Sequence, residues 1–208
     1  MTRQITCDAD VAEGAAWLAA REPRFAAALA QTGPLPLRLA PDGFAALFNK
    51  IVSQQVSVAS ARAIWGRVAA AGLITPQAIV SASDDELRSV GLSRPKLKYA
   101  RALAEADIDF VALRAASDAD VIATLTAVSG IGVWTAQVYA MFNLGRPDLF
   151  APGDLALQEA VRVLWNLPDR PTPKELEARA RDWSPWRAVA ARLLFTYYRV
   201  IKEREGIT

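Results

Sequence analysis

The stretch from Leu125 to Phe142 reads LTAVSGIGVWTAQVYAMF, and Gly130-Ile131-Gly132 interrupts an otherwise apolar, helix-forming run. Glycine adopts left-handed backbone conformations without the steric cost of a Cβ atom, so this pattern predicts a tight turn between two helices. The second helix starts at once, and the free amides at its start carry the positive end of the helix dipole. Such a start suits a phosphate group. Taken alone, the motif fits an ordinary helical hairpin at least as well.

The rest of the chain indicates an all-α protein. It has 208 residues, 52% of them hydrophobic, and no run of alternating strand pattern. Helix-start signals recur, including capping boxes at Ser83–Glu86 and Thr172–Glu175. The pattern predicts about ten or eleven short helices in a single domain over residues 1–208. We expect two helical lobes with a cleft between them: a middle lobe at about residues 43–150, and a second lobe from both terminal segments.

Missing residue types exclude several kinds of chemistry. The chain has no histidine and a single cysteine, Cys7. A Ser-His-Asp triad, a histidine metal site, an intrachain disulfide and a cysteine-bound cluster are therefore ruled out. Carboxylates, Lys, Tyr, hydroxyls and backbone groups remain for any reaction. No apolar run is long enough to cross a bilayer and the N-terminal segment lacks an apolar signal core, so we expect no membrane association and a cytoplasmic location.

The hairpin is followed at a short distance by a glycine- and proline-containing loop that ends in an aspartate, FAPGD, at Asp154. This arrangement resembles the helix-hairpin-helix DNA glycosylase superfamily. That family has a Gly-x-Gly hairpin, a Thr-Ala pair on the second helix, and a Gly/Pro loop ending in an essential aspartate. The matching residues here are Gly130, Gly132, Thr135-Ala136, Pro152-Gly153 and Asp154. Ser129 stands where the family usually has proline.

Three further segments resemble one branch of that superfamily, the 3-methyladenine DNA glycosylase II type of alkylation repair. They are FNKIVSQQVSVASARAIWGRV (48–68), GLSRPKLKYARALAEA (91–106) and WSPWRAVAARLLFTYY (183–198). The likeness covers roughly residues 40–200. It implies a base-excision enzyme that acts on double-stranded DNA containing alkylated bases and hydrolyses the N-glycosidic bond. We expect a monomer, because one enzyme of this size engages one lesion.

The resemblance also implies roles for individual residues. Asp154 is the expected catalytic carboxylate, and it also fits the common role of a helix N-cap. Gln55, with Gln54 beside it, matches the residue that fills the gap left in the duplex by the extruded base. Trp134 stands where strand-cutting relatives carry a lysine, which implies a monofunctional enzyme that leaves an abasic site. The residues that match the base pocket are Trp134, Phe195 and Tyr139.

Phosphate and cation contacts are expected at the hairpin. By resemblance, the amides of Gly130, Ile131 and Gly132 and the hydroxyl of Thr135 meet a DNA phosphate. The main-chain carbonyls of Thr126, Val128 and Ile131 match those that hold a monovalent cation, Na⁺ or K⁺, and no other cofactor is implied. Arg94, Lys96 and Lys98 fit either phosphate contacts or a solvated helix start. Arg187 fits an ion pair or a helix cap.

Two other readings of the sequence remain open. The chain could be a helix-hairpin-helix module that grips DNA without catalysis, or a plain α-helical scaffold protein. The four ordered motifs and the spacing of Asp154 from the hairpin favour the enzyme. The alkylated and deaminated bases it would accept are not fixed by the sequence, because they depend on the shape of the pocket.

Overall fold

The computed structural model describes residues 3–204, and within them every regular element is helical. Within this range, short loops join thirteen α-helices and one 3₁₀ turn, which confirms the predicted all-α class. In chain order the helices are α1 (Asp8–Arg21), α2 (Pro23–Thr32), α3 (Phe44–Ser53), α4 (Val58–Ala70), α5 (Pro76–Ser81), α6 (Asp84–Ser89), α7 (Arg94–Glu105), α8 (Phe110–Ala115), α9 (Asp118–Thr126), α10 (Val133–Phe142), α11 (Leu155–Leu164), α12 (Pro173–Ala180) and α13 (Arg187–Arg204).

The predicted capping boxes set the starts of two helices. At α6, the backbone amide of Glu86 donates to the hydroxyl of Ser83, and the Glu86 carboxylate accepts from the Ser83 amide. Thr172 and Glu175 make the same reciprocal pair at α12, where Pro173 occupies the first helical position. Each such cap stabilises its helix by about 1 kcal/mol.

Two elements differ from the sequence-based expectation. The sequence pattern over residues 43–56 predicts one helix, but α3 ends at Ser53, because Gln54 is extended and Gln55 is left-handed, with φ of 56°. Helix α8 was not predicted at all. Its six residues are too few to display a helical period, and the Asp109 carboxylate caps them by accepting from two backbone amides.

The chain divides into two compact units. The terminal unit comprises residues 3–39 and 140–204, and the middle unit comprises residues 40–139. Helix α10 begins in the middle unit and ends in the terminal unit. The lobe boundaries and the cleft expected from the sequence stay predictions.

Each unit has its own aromatic core. In the terminal unit, Phe25 lies edge-on against Trp165 and Trp183, with ring centroids 5.4 and 5.2 Å away, and Phe150 packs on Trp183. In the middle unit, Phe48 packs against the ring of its α3 neighbour Phe44 and against Trp65 of α4. Burying a large apolar side chain of this kind stabilises a fold by about 2 kcal/mol.

Among residues 3–204, no helix is both long enough and apolar enough to cross a bilayer. The expected cytoplasmic location stays a prediction.

Candidate nucleic-acid interface and catalytic carboxylate

The turn between α9 and α10 is built around Gly130. Its φ of 91° lies in the left-handed region, which residues with a Cβ atom rarely adopt. A Cβ atom at this position would also overlap the ring of Tyr99, which lies on α7. Next to it, the Ile131 side chain is buried, and its amide donates to the Val128 carbonyl at 3.0 Å. Glycine is therefore required at position 130 by both conformation and packing.

Gly132 differs from Gly130 in its surroundings. A Cβ atom added here would meet no heavy atom within 4 Å. The Gly132 carbonyl accepts from the amide of Ala136 at 3.0 Å, and this hydrogen bond closes the first turn of α10. The backbone at the start of this helix is therefore open to a group that approaches from outside.

Gln54, the first residue after α3, braces the hairpin. Its side-chain amide donates to the Gly130 carbonyl at 3.0 Å and to the Thr135 hydroxyl at 3.3 Å. Gln54 thus has a structural role in the hairpin, and the buried Thr135 hydroxyl takes part in it. The contacts of both residues with DNA stay predictions. Because the Ile131 amide donates to the Val128 carbonyl within the turn, the amides of Gly130 and Gly132 are the remaining candidates for a phosphate contact.

Gln55 lies at the tip of the turn between α3 and α4. It is exposed, and its φ of 56° is unusual for a residue other than glycine. Local strain of this kind, held in place by its surroundings, is common at functional positions. Ser57 closes the turn by capping α4 through the amide of Ser60. The backbone thus presents the Gln55 side chain at the surface, as a gap-filling role requires.

A groove of about 580 Å³ runs along the hairpin. It is lined by Gln54, Gln55, Ser93, Pro95, Lys96, Tyr99, Thr126, Val128, Ser129, Gly130, Ile131 and Gly132. Thr126, Val128 and Ile131, whose carbonyls are the candidate cation ligands, all belong to it. The Val128 carbonyl already accepts from the Ile131 amide, which leaves one of its two lone pairs for another partner.

Lys96 departs from its expected solvated position. Its side chain is buried, and its ammonium donates to the Val52 carbonyl at 2.6 Å. Burial lowers the pKa of Lys96. Arg94 and Lys98 on the same helix are exposed, as expected. Of the three basic residues, Lys96 alone lines the groove.

Two of the expected pocket aromatics belong to the middle unit and differ in exposure. Trp134, in the first turn of α10, is 45% exposed. Tyr139 is fully buried, and its hydroxyl accepts from the amide of Gly43 at 2.7 Å. Burial raises the pKa of Tyr139 to about 12. The Tyr139 ring is thus a core element with a fixed hydrogen bond, and its place in a base pocket stays a prediction.

Asp154 lies in the terminal unit at the start of α11. One oxygen of its carboxylate, Oδ1, accepts from the amides of Ala156 at 2.8 Å and Leu157 at 3.2 Å, which confirms the N-cap role. The loop before it is fixed by Gln158, whose buried side chain donates to the Pro152 carbonyl at 2.9 Å. Two amides of α11 thus hold the carboxylate, and Gln158 holds the loop that precedes it. Gln158 was not predicted, although its place one helical turn after Asp154 was a usable signal.

Phe195, the third expected pocket residue, is half-buried on α13. Its ring packs against Phe142 with centroids 6.1 Å apart. The guanidinium of Arg38, which the sequence did not single out, lies 5.3 Å from the Phe195 centroid. The predicted ion pair of Arg187 is confirmed, because its guanidinium makes a bidentate contact with Asp148 at 2.7 and 3.1 Å.

Comparison with known proteins identifies the family of this architecture. The model of the HhH-GPD superfamily of base excision DNA repair proteins matches residues 48–185. This range contains the Gln55 turn, the glycine hairpin and Asp154.

Solved structures show the same fold. A DNA-3-methyladenine glycosidase from Bacillus halodurans is 33% identical, with a TM-score of 0.81 and coverage of 89% of both chains. The 3-methyladenine DNA glycosylase Mag1 of Schizosaccharomyces pombe, solved with abasic DNA, is 25% identical, with a TM-score of 0.77. That match covers 88% of this chain and 95% of the other.

A longer relative matches only in part. The putative DNA-3-methyladenine glycosylase YfjP of Bacillus subtilis is 32% identical over 124 residues, which are 58% of this chain. The matched segment spans 43% of YfjP, so this chain corresponds to less than half of the length of that protein. The family model nevertheless covers the hairpin and Asp154 together. This chain belongs to the HhH-GPD superfamily of base excision DNA repair proteins.

Proposed function

We propose that this protein is a monofunctional DNA glycosylase that removes alkylated purines, such as 3-methyladenine and 7-methylguanine, from double-stranded DNA. The observation that carries the proposal is the fixed carboxylate of Asp154 at the start of α11, within the segment that matches the family model. The names of the relatives from Bacillus halodurans and Schizosaccharomyces pombe support the substrate class. The abasic DNA in the second structure is the expected kind of product.

Asp154 supplies the electrostatic part of the reaction. When the N-glycosidic bond breaks, the base leaves with the electron pair and the sugar gains positive charge. A carboxylate aligned with the sugar stabilises that charge, and it orients the water that adds to the sugar carbon. The two amide hydrogen bonds to Asp154 Oδ1 hold the group in one orientation before the substrate arrives. This preorganisation strengthens the stabilisation, because no reorientation is needed as the charge develops.

Cationic alkylpurines need no general acid, and their charge helps an aromatic pocket to bind them. They are good leaving groups, so no histidine acid is needed, which agrees with a chain that contains none. An aromatic face attracts a cation more strongly than a neutral base. The half-buried ring of Phe195 in the terminal unit is our candidate for this contact. The stacking role of the exposed Trp134 ring stays a prediction.

The residues that we propose to bind DNA lie in the middle unit. We assign the phosphate contact to the amides of Gly130 and Gly132, where the start of α10 presents its positive dipole end. Gln55 fills the place of the extruded nucleotide, which must leave the duplex before its base can be cleaved. A Na⁺ or K⁺ ion held by the carbonyls of Thr126, Val128 and Ile131 would add positive charge at the same phosphate. Neutral carbonyl ligands suit such an ion.

The monofunctional assignment rests on Trp134. An indole forms no Schiff base, so the residue at this position cannot cleave the strand by the lysine route. We therefore expect an abasic site as the product and a monomeric enzyme. Borohydride treatment of the enzyme with its DNA substrate should trap no covalent adduct, and size-exclusion chromatography with light scattering should give the mass of one chain.

The experiment that tests the function is product analysis on a methylated duplex. The purified protein is incubated with DNA treated with a methylating agent, and free bases are separated from the polymer by chromatography. We expect release of 3-methyladenine and 7-methylguanine together with alkali-labile abasic sites. Binding to lesion DNA without any base release would instead identify a non-catalytic DNA-binding module. A protein that neither binds nor releases bases would overturn both assignments.

A further inference from the structure

Arg38 has an uncommon backbone conformation for its residue type. It follows α2 in an irregular segment of the terminal unit, and its φ is 48°. Residues with a Cβ atom rarely occupy this region, so the surroundings must hold it there. The preceding carbonyl, that of Leu37, accepts from Nε of the buried Arg192 at 2.9 Å. Residue 38 is thus kept in place by a contact with α13, far away in sequence.

The Arg38 side chain lies on two aromatic rings. Its guanidinium carbon is 5.0 Å from the Phe142 centroid and 5.3 Å from the Phe195 centroid. Distances of this size are those of cation–π contacts. Phe195 is the ring that we assign to the damaged base. A positive charge of the protein itself therefore already lies on the ring to which a cationic base would be drawn.

Further charges surround this group. Arg192 also lies over Phe142, at 4.9 Å, and burial lowers its pKa to about 10, with a smaller contribution from Arg38. At neutral pH it is still charged. Burial, and then the charge of Arg199, lower the pKa of Arg38, whereas the charge of Asp154 raises it. The charge of Asp154 thus favours the charged form of Arg38.

Lesion bases of different charge would respond to Arg38 in opposite ways. A cationic alkylpurine takes the electron pair of the broken C1′–N bond and leaves as a neutral molecule, and it meets repulsion from Arg38 before the bond breaks. An uncharged lesion takes the same electron pair and leaves as an anion, which later gains a proton from water. A nearby guanidinium stabilises that anion through its charge and its hydrogen-bond donors.

We propose that Arg38 is a specificity-determining residue that shifts this site towards uncharged damaged purines and away from cationic alkylpurines. The inference rests on the proposed glycosylase function. It extends that function to the class of neutral lesions, of which hypoxanthine is the simplest purine example. Asp154 keeps the same task for both classes, because the sugar becomes positively charged in either reaction.

The test is a ratio of two rates measured in one protein preparation. Two duplexes of the same sequence carry either hypoxanthine or 7-methylguanine, and single-turnover base release is followed for each. The variants are Arg38→Met, which keeps an unbranched stem without the charge, and Arg38→Lys, which keeps the charge. Arg21→Met is the matched control, because Arg21 lies 3.9 Å from the centroid of another ring, that of Trp17. The ratio of the two rates does not depend on how much of the protein in the preparation is folded, because that fraction affects both rates equally.

We expect Arg38→Met to lower the hypoxanthine to 7-methylguanine ratio about tenfold or more, since one charge is removed from a partly exposed site. Arg38→Lys should stay within about threefold of the wild-type ratio, and Arg21→Met should leave it unchanged. An Arg38→Met ratio equal to that of the wild type, or a higher one, overturns the proposal. A wild-type protein that releases neither base overturns the glycosylase function itself, and this inference with it.

Discussion

Two turns of this protein place a short loop directly before a helix, and they use the helix start differently. Before α11, the chain's own carboxylate, that of Asp154, accepts from the amides of Ala156 and Leu157. Before α10, the residue in the equivalent place is Gly132, which has no side chain and open space around its Cα. The start of α11 is capped by a side chain of the protein, and the start of α10 is left accessible. In the function that we propose, the same backbone physics serves catalysis at one turn and DNA binding at the other.

The largest effect should follow from Asp154→Asn. An amide oxygen still caps α11, so folding stability should change by no more than about 1 kcal/mol. The variant loses the negative charge that faces the developing cation, and single-turnover base release should fall by about 10²–10³-fold. Thermal unfolding measured alongside separates catalysis from stability. Near-normal release by a folded Asp154→Asn protein would remove Asp154 from the catalytic role.

Gly130→Ala should damage the hairpin itself. The new methyl group requires a left-handed alanine and overlaps the Tyr99 ring. These two costs together should lower the free energy of unfolding by about 2–5 kcal/mol. Affinity for DNA should fall in parallel, since the turn must shift to relieve the overlap. Chemical denaturation and fluorescence anisotropy measure the two effects, and an unchanged unfolding midpoint would show that the turn tolerates the methyl group.

Gly132→Ala is the matched comparison within the same turn. No protein atom lies within 4 Å of the added methyl group, so the unfolding free energy should stay within about 0.5 kcal/mol of the wild type. The methyl group would, however, stand between the backbone and an approaching phosphate. Affinity for lesion DNA should drop about tenfold, as for the loss of one good charge-assisted hydrogen bond. Full affinity in this variant would argue against phosphate binding at Gly132.

Gln55→Ala should have the smallest of these effects. The side chain is exposed at the tip of its turn, so stability should hardly change. Without it, the extruded state of the nucleotide loses a contact that stabilises it, and base release should slow about three- to tenfold. Gln54→Ala makes a useful contrast, because the loss of its bonds to Gly130 and Thr135 should lower stability instead. If Gln55→Ala left base release at the wild-type rate, its gap-filling role would be wrong.

Features that depend on residues close together in the chain could be predicted from the sequence. The Gly-Ile-Gly break, the capping boxes and the N-cap of Asp154 depend on residues only a few positions apart, so their patterns are visible in the chain itself. The contacts that the sequence did not predict join distant segments. Gln54 lies 76 positions before Gly130, and Gly43 lies 96 positions before Tyr139. No local sequence pattern indicates contacts between residues that are so far apart in the chain.

Burial was the other quantity that the sequence could not supply. Lys96 lies on the same helix as the exposed Arg94 and Lys98, yet it alone of the three is buried. Arg38 lies in a proline-rich loop that offers no period, and its place over Phe142 and Phe195 depends on the fold of the terminal unit. Both residues could be assigned only once their packing was known.

The central claim is that the Gly132 turn grips DNA while the Asp154 turn cleaves the glycosidic bond. Its most direct test measures two quantities in both Gly132→Ala and Asp154→Asn: the Kd for a lesion duplex, and the single-turnover rate at saturating enzyme. We predict that Asp154→Asn loses at least about a hundredfold in rate, with its Kd within about threefold of wild type. Gly132→Ala should show the reverse, a Kd about tenfold higher with a nearly unchanged rate. A normal rate in Asp154→Asn, or a normal Kd in Gly132→Ala, would contradict this division of labour.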